Sequence, residues 1–218
     1  MKRLASVVAV LAMATGLTAC AQPDYRYASE DPGSAPAGPV YFKVPYSWTP
    51  FSASDISTAQ SGWSADQTTK SLLDATTWQA AYDASPRPSL ANVLGRKTPE
   101  APTLYASLRT LYGAETSGAT AEALRNLVVP VGTLGDAVHV DDVKYLDKGN
   151  LRGIHVIFSY RPVGGTVDET VDQTAYYSQG DDAVYLLVIR CSSSCYTKNK
   201  ADIDAVTASY TLQEATGG

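Results

Sequence analysis

Val184-Tyr185-Leu186-Leu187-Val188-Ile189 is apolar at every position, so a strand built from it has no face to turn toward water. It reads as a central strand covered on both sides, and its surroundings must supply a layer above and a layer below. The segments around it supply the sheet. Residues 138–145 and 151–160, joined by Asp147-Lys148-Gly149-Asn150, read as one hairpin. Residues 167–177 and 183–190, joined by Gly180-Asp181-Asp182, read as a second. Ile154, Val156, Phe158 and Tyr160 fall on one face of their arm. Asn199 then caps a helix in which Ile203, Val206, Thr207 and Tyr210 recur at the spacing of a packed face. Successive hairpins with accompanying helices imply an α+β fold: an antiparallel sheet with helices packed on its faces, an αβα sandwich.

The first half of the chain is less regular. Val40-Tyr41-Phe42-Lys43-Val44 is a short β-rich run closed by Pro45, followed by the aromatic turn Tyr46-Ser47-Trp48. Ser64 with Gln67 forms a capping box for a helix through Leu72 and Leu73. Residues 77–83 read as a strand, and 89–94 as a helical turn stopped by Gly95. Residues 103–112 fit either a helix or a strand, and the strand is preferred because Tyr105, Thr110 and Tyr112 are β-compatible. Thr120 caps a helix through Val128, with Leu124, Leu127 and Val128 on one face and Pro130 beyond its end.

The N-terminus is an address. Lys2 and Arg3 precede an apolar stretch from Leu4 to Gly16, shorter than the about 20 residues that a spanning helix needs. Leu17-Thr18-Ala19-Cys20 follows. It resembles the lipobox of bacterial lipoproteins, in which the Cys takes a diacylglyceryl thioether and becomes the mature N-terminus. A plain secretory signal cleaved at small residues is the other reading. Residues 1–19 are thus expected as a signal peptide, 20–39 as a lipidated Cys20 with a disordered tether rich in Pro and Gly, and 40–218 as a single domain. Two acyl chains are what stable anchoring requires, so the expected place is the extracytoplasmic face of a cell membrane.

With Cys20 assigned to lipid, Cys191 and Cys195 remain as a pair suited to an oxidising compartment. Closing this short ring through a disulfide gives roughly 2 kcal/mol in the chain-entropy model. A redox pair or half of a metal site are the alternatives, but redox motifs favour Cys-x-x-Cys, and His139 and His155 are the only histidines. No Gly-x-Ser-x-Gly elbow, phosphate loop, dinucleotide fingerprint or His-Glu-x-x-His occurs. His155 lies between Ile154 and Val156, and reads as a hydrogen-bonded residue on the second face of the sheet. His139, near Asp141 and Asp142, reads the same way, with an acid-paired catalytic base as its functional alternative. Asp136, Asp141, Asp142 and Asp147 form an acidic rim without the loop spacing of a calcium site. A pI near 5.0 excludes nucleic acid as an expected partner. Fourteen Tyr against three Phe either replace Phe in the core or supply a binding surface.

This order of elements resembles the PsbP-like fold, used by photosystem extrinsic proteins, a nuclear-import factor and bacterial envelope lipoproteins of the actinobacterial type. The resemblance opens at Val40-Tyr41-Phe42-Lys43-Val44-Pro45 with Trp48. It continues through Ala123-Leu124-Arg125-Asn126 and closes over Val184 to Arg190, Ile203-Asp204-Ala205-Val206 and Ser209-Tyr210-Thr211-Leu212. It implies a non-catalytic binding or assembly module; no residues here match a manganese site of the family, and no cofactor or metal is expected. In the actinobacterial group it implies work beside lipid exporters or secreted acyltransferases. The expected protein is a monomeric, lipid-anchored accessory module whose partner is an envelope protein or lipid. An envelope hydrolase using His139 or His155, or a carrier of an apolar ligand, are the alternatives. The Tyr46-Ser47-Trp48 turn is the expected contact surface.

Overall fold

The computed structural model describes residues 25–30, 39–61, 74–95, 97–148, 151–178, 180 and 182–213. Among these, one antiparallel sheet contains β3 (Thr49–Phe51), β4 (Thr76–Asp83), β5 (Thr103–Thr110), β6 (Val138–Lys148), β7 (Leu151–Tyr160), β8 (Glu169–Tyr177) and β9 (Ala183–Ser192). Their spatial order is β3-β4-β5-β9-β8-β7-β6. Two meanders therefore meet through their last strands, with Leu104 opposite Ile189 and Leu108 opposite Tyr185. A smaller sheet places β2 (Val40–Pro45) between β1 (Tyr25–Glu30) and β10 (Thr211–Leu212).

β9 is the central strand, and its alternation organises the layers. Tyr185, Leu187 and Ile189 join Phe42 and Val44 of β2 and Ile203 and Val206 of helix α7 (Lys200–Ser209) in one cluster. On the other face Val184 meets Leu124 of α4 (Ala121–Arg125), and Val188 meets Val129 and Phe158. On that same side α1 (Ala53–Ser61) and α2 (Leu90–Leu94) bring Ile56 and Val93 onto Ala81 and Tyr105. The short helices α3 (Ala114–Ser117), α5 (Val131–Leu134) and α6 (Ser193–Lys198) complete the connections. The fold is α+β, a large antiparallel sheet with helices on it, and the layer over β9's odd-numbered residues combines α7 with the small sheet.

Local chemistry explains several boundaries. Ser89 accepts from Asn92 N–H at the start of α2, and Thr120 accepts from Ala123 N–H at the start of α4. Helix α4 ends at Asn126 rather than Val128, so Val128 is exposed and the fully buried contact falls to Val129 instead. Strand β6 runs on to Lys148, and its register shifts between Val140 and Asp142. Helix α1 adds to the expected elements. Its signal is Ser52, which accepts from Asp55 N–H in a first-turn cap. The helix expected from Ser64 through Leu73 lies outside the described residues, as do Gly149, Asn150 and Asp181 of the two hairpin turns.

The expected tether needs a correction. Tyr25–Glu30 pairs along β2 from Tyr25 opposite Pro45 to Glu30 opposite Val40. Pro23, Pro32, Gly33 and Pro36 flank this strand without interrupting it, so composition averaged over residues 21–39 hides the strand. Ala28 packs against the main cluster. Arg26 lies over the rings of Tyr46 and Tyr82, 5.5 and 5.8 Å from their centroids, and donates to the carbonyl oxygens of Tyr46 and Trp48.

Gly153 on β7 lies beneath the Tyr176 ring of β8. A Cβ placed there would stand 2.3 Å from Tyr176 Cδ1 and 2.7 Å from the Ala175 carbonyl oxygen. Gly153→Ala is therefore expected to destabilise by about 1–3 kcal/mol in urea unfolding, because overpacking displaces both ring and strand. Gly132→Ala, which meets open space, is the control and should stay within about 0.5 kcal/mol of the parent. Equal midpoints for the two variants would refute the close-approach account.

Candidate functional site

The two histidines are the groups most able to do chemistry, and the sheet places them in different environments. Ile154, Val156 and Phe158 take the face of β7 beneath α4, which leaves His155 and Ile157 on the face toward α6 and α7. There His155 Nε2 lies 2.9 Å from Asp172 Oδ1 on the neighbouring strand β8. Asp172 is 2% exposed. Tyr196 of α6 donates its hydroxyl to Asp172 Oδ2 at 2.8 Å, and Thr207 of α7 donates to Oδ1 at 3.4 Å. A buried carboxylate is tolerated only when paired and hydrogen-bonded, and these three partners come from three different elements. The sheet-face position expected for His155 is the observed one. Its buried partner Asp172 escapes sequence reasoning, because in sequence it is one polar residue within an alternating strand.

His139 sits on the edge strand β6 with its side chain 78% exposed, and Nε2 is 3.6 Å from Asp141 Oδ1. The other oxygen of Asp141 accepts from Ser159 Oγ at 2.5 Å. Ser159 in turn lies 3.2 Å from Thr170 Oγ1, which donates to Ser193 Oγ at 2.9 Å. His139 and Ser159 line an open cleft of about 480 Å³ together with Asp136, Tyr160, Arg161 and Asp168. Here histidine, serine and carboxylate do come together, but in the wrong order for a relay. A general base must touch the hydroxyl that it activates, with the acid behind the imidazole. In this cleft the carboxylate stands between the two, hydrogen-bonded to the serine and 3.6 Å from the imidazole.

The acidic rim starts at Asp136, in the turn before β6, and continues along β6. Lys144 Nζ lies 2.8 Å from Asp142, and that hydrogen bond holds the Asp142 carboxyl below its usual range. Among the described residues no three His, Cys, Asp or Glu side chains converge to hold a metal ion. An ion pair joins the buried Glu169 to Arg190 at 2.7 Å. Arg190 also donates to the carbonyls of Gly95 and Lys97, which ties the chain after α2 to β9. Cys191 and Cys195 are joined by a disulfide with Cα atoms 5.9 Å apart, linking the end of β9 to α6. Cys20 lies outside the described residues. Trp48, an expected contact residue, is 3% exposed and belongs to the main cluster, whereas its neighbour Tyr46 is 60% exposed. The packing of Trp48 in the cluster that holds β2 and β4 residues removes it from any docking surface.

Tyrosine divides between core and surface. Tyr82, Tyr176, Tyr177, Tyr185, Tyr196 and Tyr210 are buried, while Tyr27, Tyr46, Tyr112 and Tyr145 are exposed. Burial raises the pKa of Tyr185, Tyr196 and Tyr210, and the negative charge of Asp172 raises Tyr196 further. Unfolded tyrosine ionises near about pH 10. The stability from these groups is therefore complete below that pH and is lost as the pH rises above it. In an alkaline titration followed by tyrosinate absorbance, the phase from these three should coincide with loss of near-ultraviolet circular dichroism. Their complete ionisation in a folded protein would contradict the burial argument. Tyr196→Phe removes one donor from Asp172 and should cost about 1–3 kcal/mol in denaturant unfolding.

The chain matches no family model and no curated protein sequence. Its similarity is to solved structures. The cyanobacterial PsbP (CyanoP) of Synechocystis sp. superposes with a TM-score of 0.50 at 11% identity, covering 93% of this chain and 99% of that one. LpqN of Mycobacterium tuberculosis, described as involved in cell envelope biogenesis, gives 0.48 at 16% identity, covering 87% and 91%. The Ran-binding protein Mog1p of Saccharomyces cerevisiae gives 0.43 at 9% identity, covering 87% and 96%. At such identities likeness speaks for architecture, and the architecture is the PsbP-like fold.

Proposed function

We propose that this protein is a lipid-anchored, non-catalytic binding or accessory module at the extracytoplasmic face of a cell envelope. The observation that carries the non-catalytic part is the position of Asp141 between Ser159 and His139. It places the carboxylate where a relay would need the imidazole. His155 does have a carboxylate behind its imidazole, but its side chain is only 13% exposed and the carboxylate also ties Tyr196 and Thr207 into the packing. Leu17-Thr18-Ala19-Cys20 behind a charged and then apolar leader supports the anchor. Confinement at a membrane raises the effective concentration of any membrane-bound partner, so a modest interface suffices without turnover. The partner is an envelope protein or lipid, and the protein engages it as a monomer.

Two experiments test this reading. Metabolic labelling with a fatty-acid analogue should tag the protein, and Cys20→Ser should abolish the tag. A tag that survives the substitution sinks the anchor. Combined His139→Gln and His155→Gln should preserve cellular function, with denaturant unfolding measured in parallel because His155 is part of the buried pair. Loss of function with stability and envelope retention unchanged would point to an enzyme instead.

A further inference from the structure

Strand β1 changes what the anchor can do. With residues 21–39 extended and unpaired, a lipidated Cys20 would leave the domain free above the membrane. Instead the paired strand begins at Tyr25. Five Cα steps separate Cys20 from Tyr25, which at the length of a fully extended chain is a reach of at most about 18 Å. That reach ends at one edge of the small sheet, where Tyr25 lies opposite Pro45 and the chain turns through Tyr46.

This end of the molecule has a distinct surface. Tyr27 is 80% exposed and Tyr46 is 60% exposed. Arg26 lies over the Tyr46 ring, and Lys43 Nζ stands 4.7 Å from the centroid of the Tyr25 ring. The Tyr25 hydroxyl donates to Asp202 at 3.2 Å, which engages that carboxylate, and Asp24 precedes the strand in sequence. Phenols with cations beside them suit the headgroup layer, where an amphipathic ring places its body in the apolar boundary and its hydroxyl in water. The chain as a whole carries a formal charge of −5. Lys43 is thus a basic residue of this surface in an otherwise acidic protein, while Arg26, packed inward against the Tyr46 and Tyr82 rings, holds the Tyr46 turn in place.

We propose that the Tyr25–Pro45 end of the small sheet, with Tyr27 and Tyr46 foremost, lies in the headgroup layer of the phospholipid bilayer that holds the Cys20 lipid. The proposal rests on the anchor reading. It fixes the orientation of the domain: the large sheet stands away from the membrane, with edge strand β6 on the far side of the sheet from β3. The surface left for a protein partner is then the outer part of the large sheet rather than the turn around Trp48.

The chain carries its own controls. Tyr112 and Tyr145 are 65% and 75% exposed, beyond the far end of β5 and on the opposite edge strand respectively. The full-length protein is expressed with its leader, purified in its mature form and reconstituted into vesicles of phosphatidylcholine and phosphatidylglycerol. Tyrosine reactivity toward hydroxyl radicals is then compared with that of the Cys20→Ser protein free of lipid. Tyr27 and Tyr46 should lose reactivity several-fold, while Tyr112 and Tyr145 keep theirs. If the protein floats with the vesicles and all four tyrosines react as in the lipid-free form, the orientation is overturned and the anchor stands. If it carries no acyl group and does not float, both readings fall together. Protection of Tyr27 and Tyr46 in native membranes, but not in pure lipid vesicles, overturns the bilayer as occupant and makes this end a protein interface.

Discussion

Because Tyr185, Leu187 and Ile189 leave one face of β9 and Val184, Leu186 and Val188 leave the other, neither surface of the central strand can be left to water. Both meanders close against this strand, β5 from one side and β8 from the other. Helix α7 and β2 cover one face, while α4 and the chain around Val129 cover the other. Fully burying one such side chain contributes about 1.5–3 kcal/mol, so the many buried side chains around β9 outweigh any single polar bond in the domain. The polar bonds decide where each layer sits.

That division of labour is visible in the buried charges. Asp172 links β8 to β7, α6 and α7 through single hydrogen bonds, and Glu169 with Arg190 links β8 and β9 to the chain after α2. A buried ion pair adds little net stability compared with apolar packing, but removing one partner is expensive. Such groups hold layers in one alignment. His155 is thereby engaged in the buried network, while exposed tyrosines and the charged edge strand β6 are among what the molecule presents outward. Lys144, Asp142 and Asp141 on β6, together with its bulge, also discourage another strand from adding to that edge.

Strand alternation is legible in the sequence wherever one face is apolar and the other polar, as in Ile154, Val156 and Phe158, and the helix of Ile203 and Val206 is equally plain. Residues 103–112 are ambiguous by period, and the strand prevails because β5 fits between β4 and β9. β1 is hidden because only Ala28 of its inward-facing side is apolar and its other contribution is Arg26, whose packing depends on rings far along the chain. At the candidate site both histidines are visible as residue types. Asp172, Glu169 and Tyr196 are not, since a buried carboxylate is defined by partners that only the tertiary fold brings together. The cleft at His139 shows the converse: the right three residue types can meet in space without standing in the order of a proton relay.

The small sheet joins the beginning of the folded chain to its end. β2 pairs with β1 on one side, and on the other with Thr211 and Leu212, while Gln213 N–H donates to the Pro39 carbonyl. The central strand also arrives late, since β5 waits for β9 across the intervening meander. Pairings of such long sequence separation form slowly. A chain delivered N-terminus first would therefore remain open through nearly its whole length, with β2 lacking one neighbour and β5 lacking the other. Closure awaits the final residues. That order leaves local hairpins free to form first, while the two halves of the domain stay unjoined until β9 and β10 are made.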